Sequence, residues 1–268
     1  MRKLMSLVLF CAALASCLST LSCLSVVESA LGSLPSRGKA PAVTNEEAIS
    51  ALREALKEGI RAASSQLSKE NGYFGNALLK ILLPPEAKPI LDSVGKIPQG
   101  QKLIDDVVLR LNRSAEEASK EVMPIFVDAI MSMSVQDGIA IVKGDERAAT
   151  KYLESKTRQR LFDLYRPKVN AALGKPLVLN ISTRKAWETL SNAYNQAGIV
   201  PNKTARAVGK KEPMPKIDVD LDAYATNRAL DGLFMMIGEE EGKIRKDPAA
   251  YASAIIKKVF GALKQGLL

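Results

Sequence analysis

The chain has 268 residues, 38 lysines and arginines against 29 acidic residues, a formal charge of +9, and no histidine. The missing imidazole excludes Ser-His and Cys-His nucleophile pairs, histidine metal ligands and imidazole proton shuttles. Aromatic residues make up only 5% of the chain, which leaves little material for the stacking platforms of sugar-binding clefts.

The N-terminus reads as a targeting segment. Arg2 and Lys3 are followed by an apolar run of eleven residues, Leu4 to Leu14, too short for the roughly 20 residues of a spanning helix. The run ends in Leu14-Ala15-Ser16-Cys17, an aliphatic residue, two small residues and a cysteine. Small residues fit a signal peptidase site, and the thiol is the atom that accepts a diacylglyceryl group. Cys17 is therefore the expected lipid attachment site. Cys23 follows Thr20-Leu21-Ser22, which places the residue types wrongly. With Cys17 blocked and Cys11 removed, Cys23 is left as a lone thiol, and the domain is expected to fold by burial without a disulfide. Ser19, close behind Cys17, is not the aspartate that holds many lipoproteins in the inner membrane. The periplasmic face of the outer membrane is the expected address.

Loss of Arg2 and Lys3 leaves a charge of +7. A basic protein tethered beside a bilayer meets anionic lipid or polymer surfaces more readily than nucleic acid, so no nucleic-acid partner is expected. Lys203, Arg206, Lys210, Lys211 and Lys216 form the one local excess, in a stretch whose Pro and Gly content suggests a solvated loop, with contact to a polyanion as the alternative.

Residues 1–16 are thus read as a signal peptide, 17–43 as a lipidated N-terminus and tether, and 44–268 as one domain. Leu31-Gly32-Ser33-Leu34-Pro35 is the clearest breaker in the tether. Thr44-Asn45-Glu46-Glu47 is a capping box, followed by Ile49, Leu52, Leu56, Ile60, Ala63 and Leu67 at helical spacing. Asn71-Gly72 ends that helix, and Leu82-Leu83-Pro84-Pro85 and Ile97-Pro98-Gln99-Gly100 break the stretch between it and Gln101. From Gln101 the period returns through Ile104, Val107, Val108, Leu111, Ala115 and Ala118. Pro124 should start a new helix or kink a long one.

Ser134 and Asp137 suit a short capped helix ending near Gly144. Asp145 opens the next, through Tyr152, Leu153, Leu161 and Leu164, with Pro167 disturbing it. Leu177 to Ile181 is the one β-leaning run and, lacking a partner strand, is expected to be an extended loop. Arg184 to Gln196 is a helix carrying Trp187, Leu190 and Tyr194. Asp220 or Asp222 starts another through Leu230, Leu233, Phe234 and Ile237. Asp247-Pro248 reads as an N-cap and first-turn proline for the last helix, through Ile256, Val259 and Phe260. The fold class is all-α, in a single multi-helix domain without a fixed repeat.

Three blocks, in this order, resemble the uncharacterised bacterial family catalogued as domain of unknown function 4197. The first is Ala51-Leu52-Arg53-Glu54-Ala55-Leu56 with the Asn71-Gly72-Tyr73 turn. The second runs from Asn112-Arg113-Ser114-Ala115-Glu116 through Pro124-Ile125-Phe126 to Ala148-Ala149-Thr150-Lys151-Tyr152-Leu153. The third holds Ala229-Leu230-Asp231-Gly232-Leu233-Phe234, Glu239-Glu240-Glu241, Ile244-Arg245-Lys246-Asp247-Pro248 and Val259-Phe260-Gly261. Tyr251 departs from the pattern, where arginine is expected. The resemblance implies exported, often lipid-anchored, helical envelope proteins and supplies no catalytic residue.

Asp218, Asp220 and Asp222 alternate like the start of a calcium loop, but Ala223 and Ala229 stand where glycine and a bidentate glutamate are required. They read as helix-capping residues, and no metal or other cofactor is expected. Ser182-Thr183-Arg184-Lys185 matches Ser-x-x-Lys without its usual partner motifs. Glu116-Glu117 and Glu239-Glu240-Glu241 are expected on solvated helix faces. Met123, Met131, Met133, Met235 and Met236 read as core filling, or as a pliable apolar groove. Asn112, Arg113, Glu116 and Asp231 interrupt otherwise regular helices and are the candidates for a polar pocket, against a buried hydrogen-bond network. The functional expectation is a non-enzymatic envelope lipoprotein that binds a protein, lipid or cell-wall partner. The alternative is a glycan-cleaving enzyme with a glutamate as general acid.

Overall fold

The computed structural model describes residues 43–94, 98, 100–178 and 181–267. Nine α-helices occur among them. They are α1 (Asn45–Leu67), α2 (Lys88–Val94), α3 (Gly100–Ala118), α4 (Met123–Met131), α5 (Val135–Lys143), α6 (Ala148–Gly174), α7 (Thr183–Ala207), α8 (Leu221–Lys246) and α9 (Ala254–Lys264). Cys17, the signal segment and most of the tether lie outside the described residues.

The starts follow the local chemistry. Thr44 Oγ1 accepts from the Glu47 amide while Glu47 returns to the Thr44 amide, so the capping box forms and α1 runs from it. Ser134 caps α5 through the Asp137 amide, and Gly144 closes it. Pro124 sits in the first turn of α4, where its missing N–H costs nothing, and a 3-10 turn at Ser119–Glu121 separates α3 from α4.

Helix α8 lies at the centre. It packs on α6 along one side and on α1 along the other, α3 and α4 cover α6, and α4, α5 and α9 cover α1. Contact on several sides explains why residues from Leu221 to Ile244 are buried all round α8 rather than along one stripe. Leu52, Ile60, Leu111, Phe126, Leu153, Leu161 and Leu233 belong to the resulting core. Phe126 meets Phe234 edge to face, with ring centroids 6.0 Å apart. Met133 and Met236 are buried in this core, Met123 and Met235 pack partly buried against it, and Met131 is exposed.

Four local expectations are corrected. Pro167 neither ends nor divides α6, which runs on to Gly174. The ring costs that helix about 3 kcal/mol, but it faces solvent, and burial of Leu161, Tyr165, Val169 and Leu173 on either side offsets the loss. The β-leaning run is no isolated strand. Strands β1 (Pro176–Val178) and β2 (Ile181–Ser182) pair antiparallel, so the run supplies its own partner by turning back. Helix α7 continues through Pro201 to Ala207, which puts Lys203 and Arg206 on a helix rather than in a loop. Finally, Asp247 ends α8 and makes no side-chain cap. Pro248–Ala250 is a 3-10 turn, and Ser253 is the residue that caps α9.

Candidate functional site

Residues 112 and 116 lie four apart on α3 and face the loop that comes after α1. Asn112 treats the loop as a neighbouring strand would. Its amide nitrogen donates to the Ile81 carbonyl at 2.9 Å and its oxygen accepts the Ile81 N–H at 2.8 Å. Glu116, buried, accepts the Tyr73 and Phe74 amides at 3.1 and 3.2 Å on one oxygen. Its other oxygen takes the Arg113 guanidinium, which also reaches Glu70 and the side chain of Asn71, each at 3.0 Å. Asn71, at φ 66°, turns the backbone so that those two amides point inward.

The turn sends Tyr73 into the core, where its hydroxyl donates to the Ala229 carbonyl at 2.8 Å. Only a glycine at 232 admits the ring, since a Cβ there would lie 2.9 Å from Tyr73 Cε1. Ser119 Oγ and the Tyr165 hydroxyl are 2.9 Å apart beside it. Burial pushes both the Tyr73 and Tyr165 phenols well above the ordinary tyrosine range.

Asn112, Arg113 and Glu116 therefore meet, and they meet as a latch holding the 68–84 loop to α3. Asp231 does not join them. It is partly exposed on α8 and pairs with Arg158 at 2.6 Å and Arg228 at 3.5 Å.

The glutamates expected on solvated faces divide. Glu117 and Glu239 are exposed, whereas Glu116, Glu240 and Glu241 are buried. For Glu240 and Glu241 the cause is the central position of α8, which turns a polar stretch towards its neighbours, while Glu116 on α3 is enclosed by the loop whose amides it accepts. Glu241 takes the Ala149 and Thr150 amides at 3.1 and 2.8 Å and the Thr150 hydroxyl at 2.7 Å, capping α6, which lacks a side-chain cap of its own. Arg245, one turn on, pairs with Glu241 and donates to the Ile141 and Val142 carbonyls at the end of α5. An anion thus sits at one helix N-terminus and a cation at another's C-terminus, as the helix dipoles favour. A cavity of about 20 Å³ lies beneath them among Leu52, Ile237 and Phe260, room for no more than a water.

A larger opening is a groove of about 820 Å³ between α3 and the second half of α6. Arg110, Arg113, Lys168 and Lys175 border it with the single carboxylate of Glu117, over Leu109, Ala171 and Ala172. Arg110 donates to the Lys175 and Pro176 carbonyls at 3.1 and 2.8 Å and so ties β1 to α3. Lys168 reaches Glu121 at 2.8 Å. Of these cations only Arg113 stood out in the sequence. Arg110, Lys168 and Lys175 come from separate elements of the fold, and their spacing along the chain carries no sign that they face one opening.

The other motifs have local roles. Ser182 caps α7 by accepting the Lys185 amide at 3.2 Å. Asp218 pairs with Lys216, Asp220 caps α8 and pairs with Arg166, and Asp222 is buried against Asn170 and Arg184. Among the described residues no group of three or more His, Cys, Asp or Glu side chains is placed to hold a metal ion. No single described helix is long and apolar enough to cross a membrane.

Fold and site together define an all-helical domain with a buried polar framework and an open, basic groove. The chain belongs to the family described as "Protein of unknown function (DUF4197)", whose model matches residues 42–261. No curated protein and no solved structure matches the chain. Much of the framework falls in the blocks that carry the resemblance: the Asn71-Gly72-Tyr73 turn, Asn112 to Glu116, Ala149-Thr150, and Glu241 with Arg245.

Proposed function

We propose that this is a lipid-anchored envelope protein whose domain works by binding an anionic partner in the groove between α3 and α6. The observation that carries the reading is how differently the charges are used. The buried carboxylates Glu116 and Glu241 are each taken up by backbone amides and an arginine, whereas Arg110, Lys168 and Lys175 border the groove at an open surface beside Arg113, the arginine of Glu116, with Lys168 reaching only the exposed Glu121. A general acid needs a proton to give and room for substrate beside it. These two glutamates are packed as structural acceptors instead. A carboxylate- or phosphate-bearing cell-wall polymer has the chemistry the groove favours, and Cys17 supplies the anchor.

The test pairs Lys168→Glu with Lys175→Glu and measures retention of the purified chain on sonicated cell-wall sacculi. Retention should fall at least about ten-fold and be abolished by salt in the parent. Equal retention of parent and variant would sink the groove. For the anchor, Cys17→Ala should move the protein from the membrane fraction to the soluble pool, and unchanged fractionation would remove the lipid. Release of soluble glycan fragments by the parent, lost in Glu116→Gln or Glu241→Gln, would favour the enzyme reading.

A further inference from the structure

Helix α7 is attached to the domain unlike the other long helices. Its buried residues are Thr183, Ser191, Gly198 and Asn202, with no large apolar side chain among them. Trp187 near its start packs partly buried against the core, and beyond it hydrogen bonds hold the helix to a segment that runs back along it. Asn195 brackets Ile217, accepting its N–H at 2.8 Å and donating to its carbonyl at 2.7 Å. Asn202 brackets Met214 in the same way, at 3.0 and 2.5 Å. The pairs match because seven helical residues and three extended ones each span about 10 Å. Trp187 adds a bond to the Val219 carbonyl at 3.2 Å.

The side chains that this arm and its turn leave exposed are apolar and cationic together. Ile199, Val200 and Val208 are 61%, 72% and 62% exposed. Lys203, Arg206, Lys210 and Lys211 are exposed around them. Glu212, the one acidic residue from 199 to 217, is held by Arg206 at 2.8 Å. Gly209, at φ +65°, ends the helix, and the Lys210 amide returns to the Ala205 carbonyl at 2.8 Å, which gathers Val208, Lys210 and Lys211 at the tip.

We propose that this tip docks onto an anionic phospholipid surface. Exposed aliphatic side chains ringed by lysines are what an interfacial segment presents, the apolar groups entering the headgroup boundary while the lysine stems reach back to phosphate. Charge complementarity selects the lipid, since residues 199–217 carry five basic residues and one acidic. The same residues include no aromatic side chain, so the tip offers no aromatic platform on which nucleic-acid bases would stack. The contact goes beyond the groove reading and does not depend on it or on the lipid at Cys17.

The experiment uses the chain from residue 18 onward, without lipid, and vesicles of phosphatidylethanolamine with phosphatidylglycerol or of phosphatidylcholine alone. The parent should sediment with the anionic vesicles and not with the neutral ones. Replacing Lys203, Lys210 and Lys211 by glutamine should weaken binding about 100-fold, roughly five-fold per cation. Ile199→Ser with Val200→Ser, at unchanged charge, should weaken it at least about ten-fold. An environment-sensitive dye on Val200→Cys, in a Cys23→Ser background, should shift to the blue on the anionic vesicles. Circular dichroism melts matching the parent establish that the variants are folded. Parent protein that ignores anionic vesicles overturns the proposal. So does binding that is insensitive to the serine pair with no dye shift, which is plain adsorption of charge. Binding lost in Lys168→Glu with Lys175→Glu but kept in the glutamine triple would place the headgroup in the groove, and also overturns it.

Discussion

The end of α8 from Glu240 to Arg245 and the end of α7 with the turn that follows it, from Ile199 to Lys211, both mix charged with aliphatic residues, and the fold treats them oppositely. In α8 Glu240, Glu241 and Arg245 are turned inward while Lys243 stays at the surface, with Glu241 on the start of α6 and Arg245 on the end of α5. In α7 the aliphatic groups are turned outward and the backbone is held by asparagines. The α8 stretch balances two acidic against two basic residues while the α7 stretch carries four basic and no acidic ones, and the number of packed neighbours decides which groups turn inward. A helix enclosed by others must satisfy every polar group internally, while a helix with one extended neighbour can leave both apolar and charged groups to a partner.

The sharpest way to break this comparison is at Glu241. Glu241→Ala should cost about 3–5 kcal/mol in urea unfolding, because it strands a buried arginine along with two amides. A loss below about 1 kcal/mol would mean the pair is not a structural latch. Asn112→Ala should cost about 1–3 kcal/mol, since it leaves both polar groups of Ile81 unpaired in the interior. Limited proteolysis should then cut first within the 68–84 loop, and cleavage elsewhere would contradict its role.

The buried phenols sharpen the same contrast through pH. Tyr73 and Tyr165 are held protonated by burial, so their pKa values are higher in the folded state than the unfolded value near 10. The folded chain then binds more protons than the unfolded chain above that value, and stability falls as pH rises. The contribution is complete below about pH 10 and is lost above it. Tyrosinate absorbance for these two groups should appear together with the loss of ellipticity. Ionisation within an intact fold would show that the core is open to water.

At the tip of α7 the expected effect is smallest. Ile199→Ser with Val200→Ser should change stability by no more than about 0.5 kcal/mol. Amide exchange from residue 199 to 217 should be faster than in α6 or α8, because few apolar contacts resist local opening. A large loss of stability would make the tip part of the core and remove it from any surface role.

What the sequence by itself determined is whatever neighbouring residues decide. Helical periods, the Thr44–Glu47 box, the Ser134 cap, the start at Pro124 and the all-α class depend on contacts within about four residues, so they are legible in the order of the letters. The three family blocks were legible for the same reason, as short strings. Tertiary structure decided everything that depends on enclosure. Only the central place of α8 makes Glu241 a buried cap rather than a solvated side chain, and only the facing helices bring Arg110 to Lys168 and Lys175. The β-leaning run finding its partner in itself, α6 passing through Pro167, and Asn195 and Asn202 bridging to residues 12–22 positions away belong to the same class. Each turns on energy gained across the fold, and a local pattern holds no record of which surface it will meet.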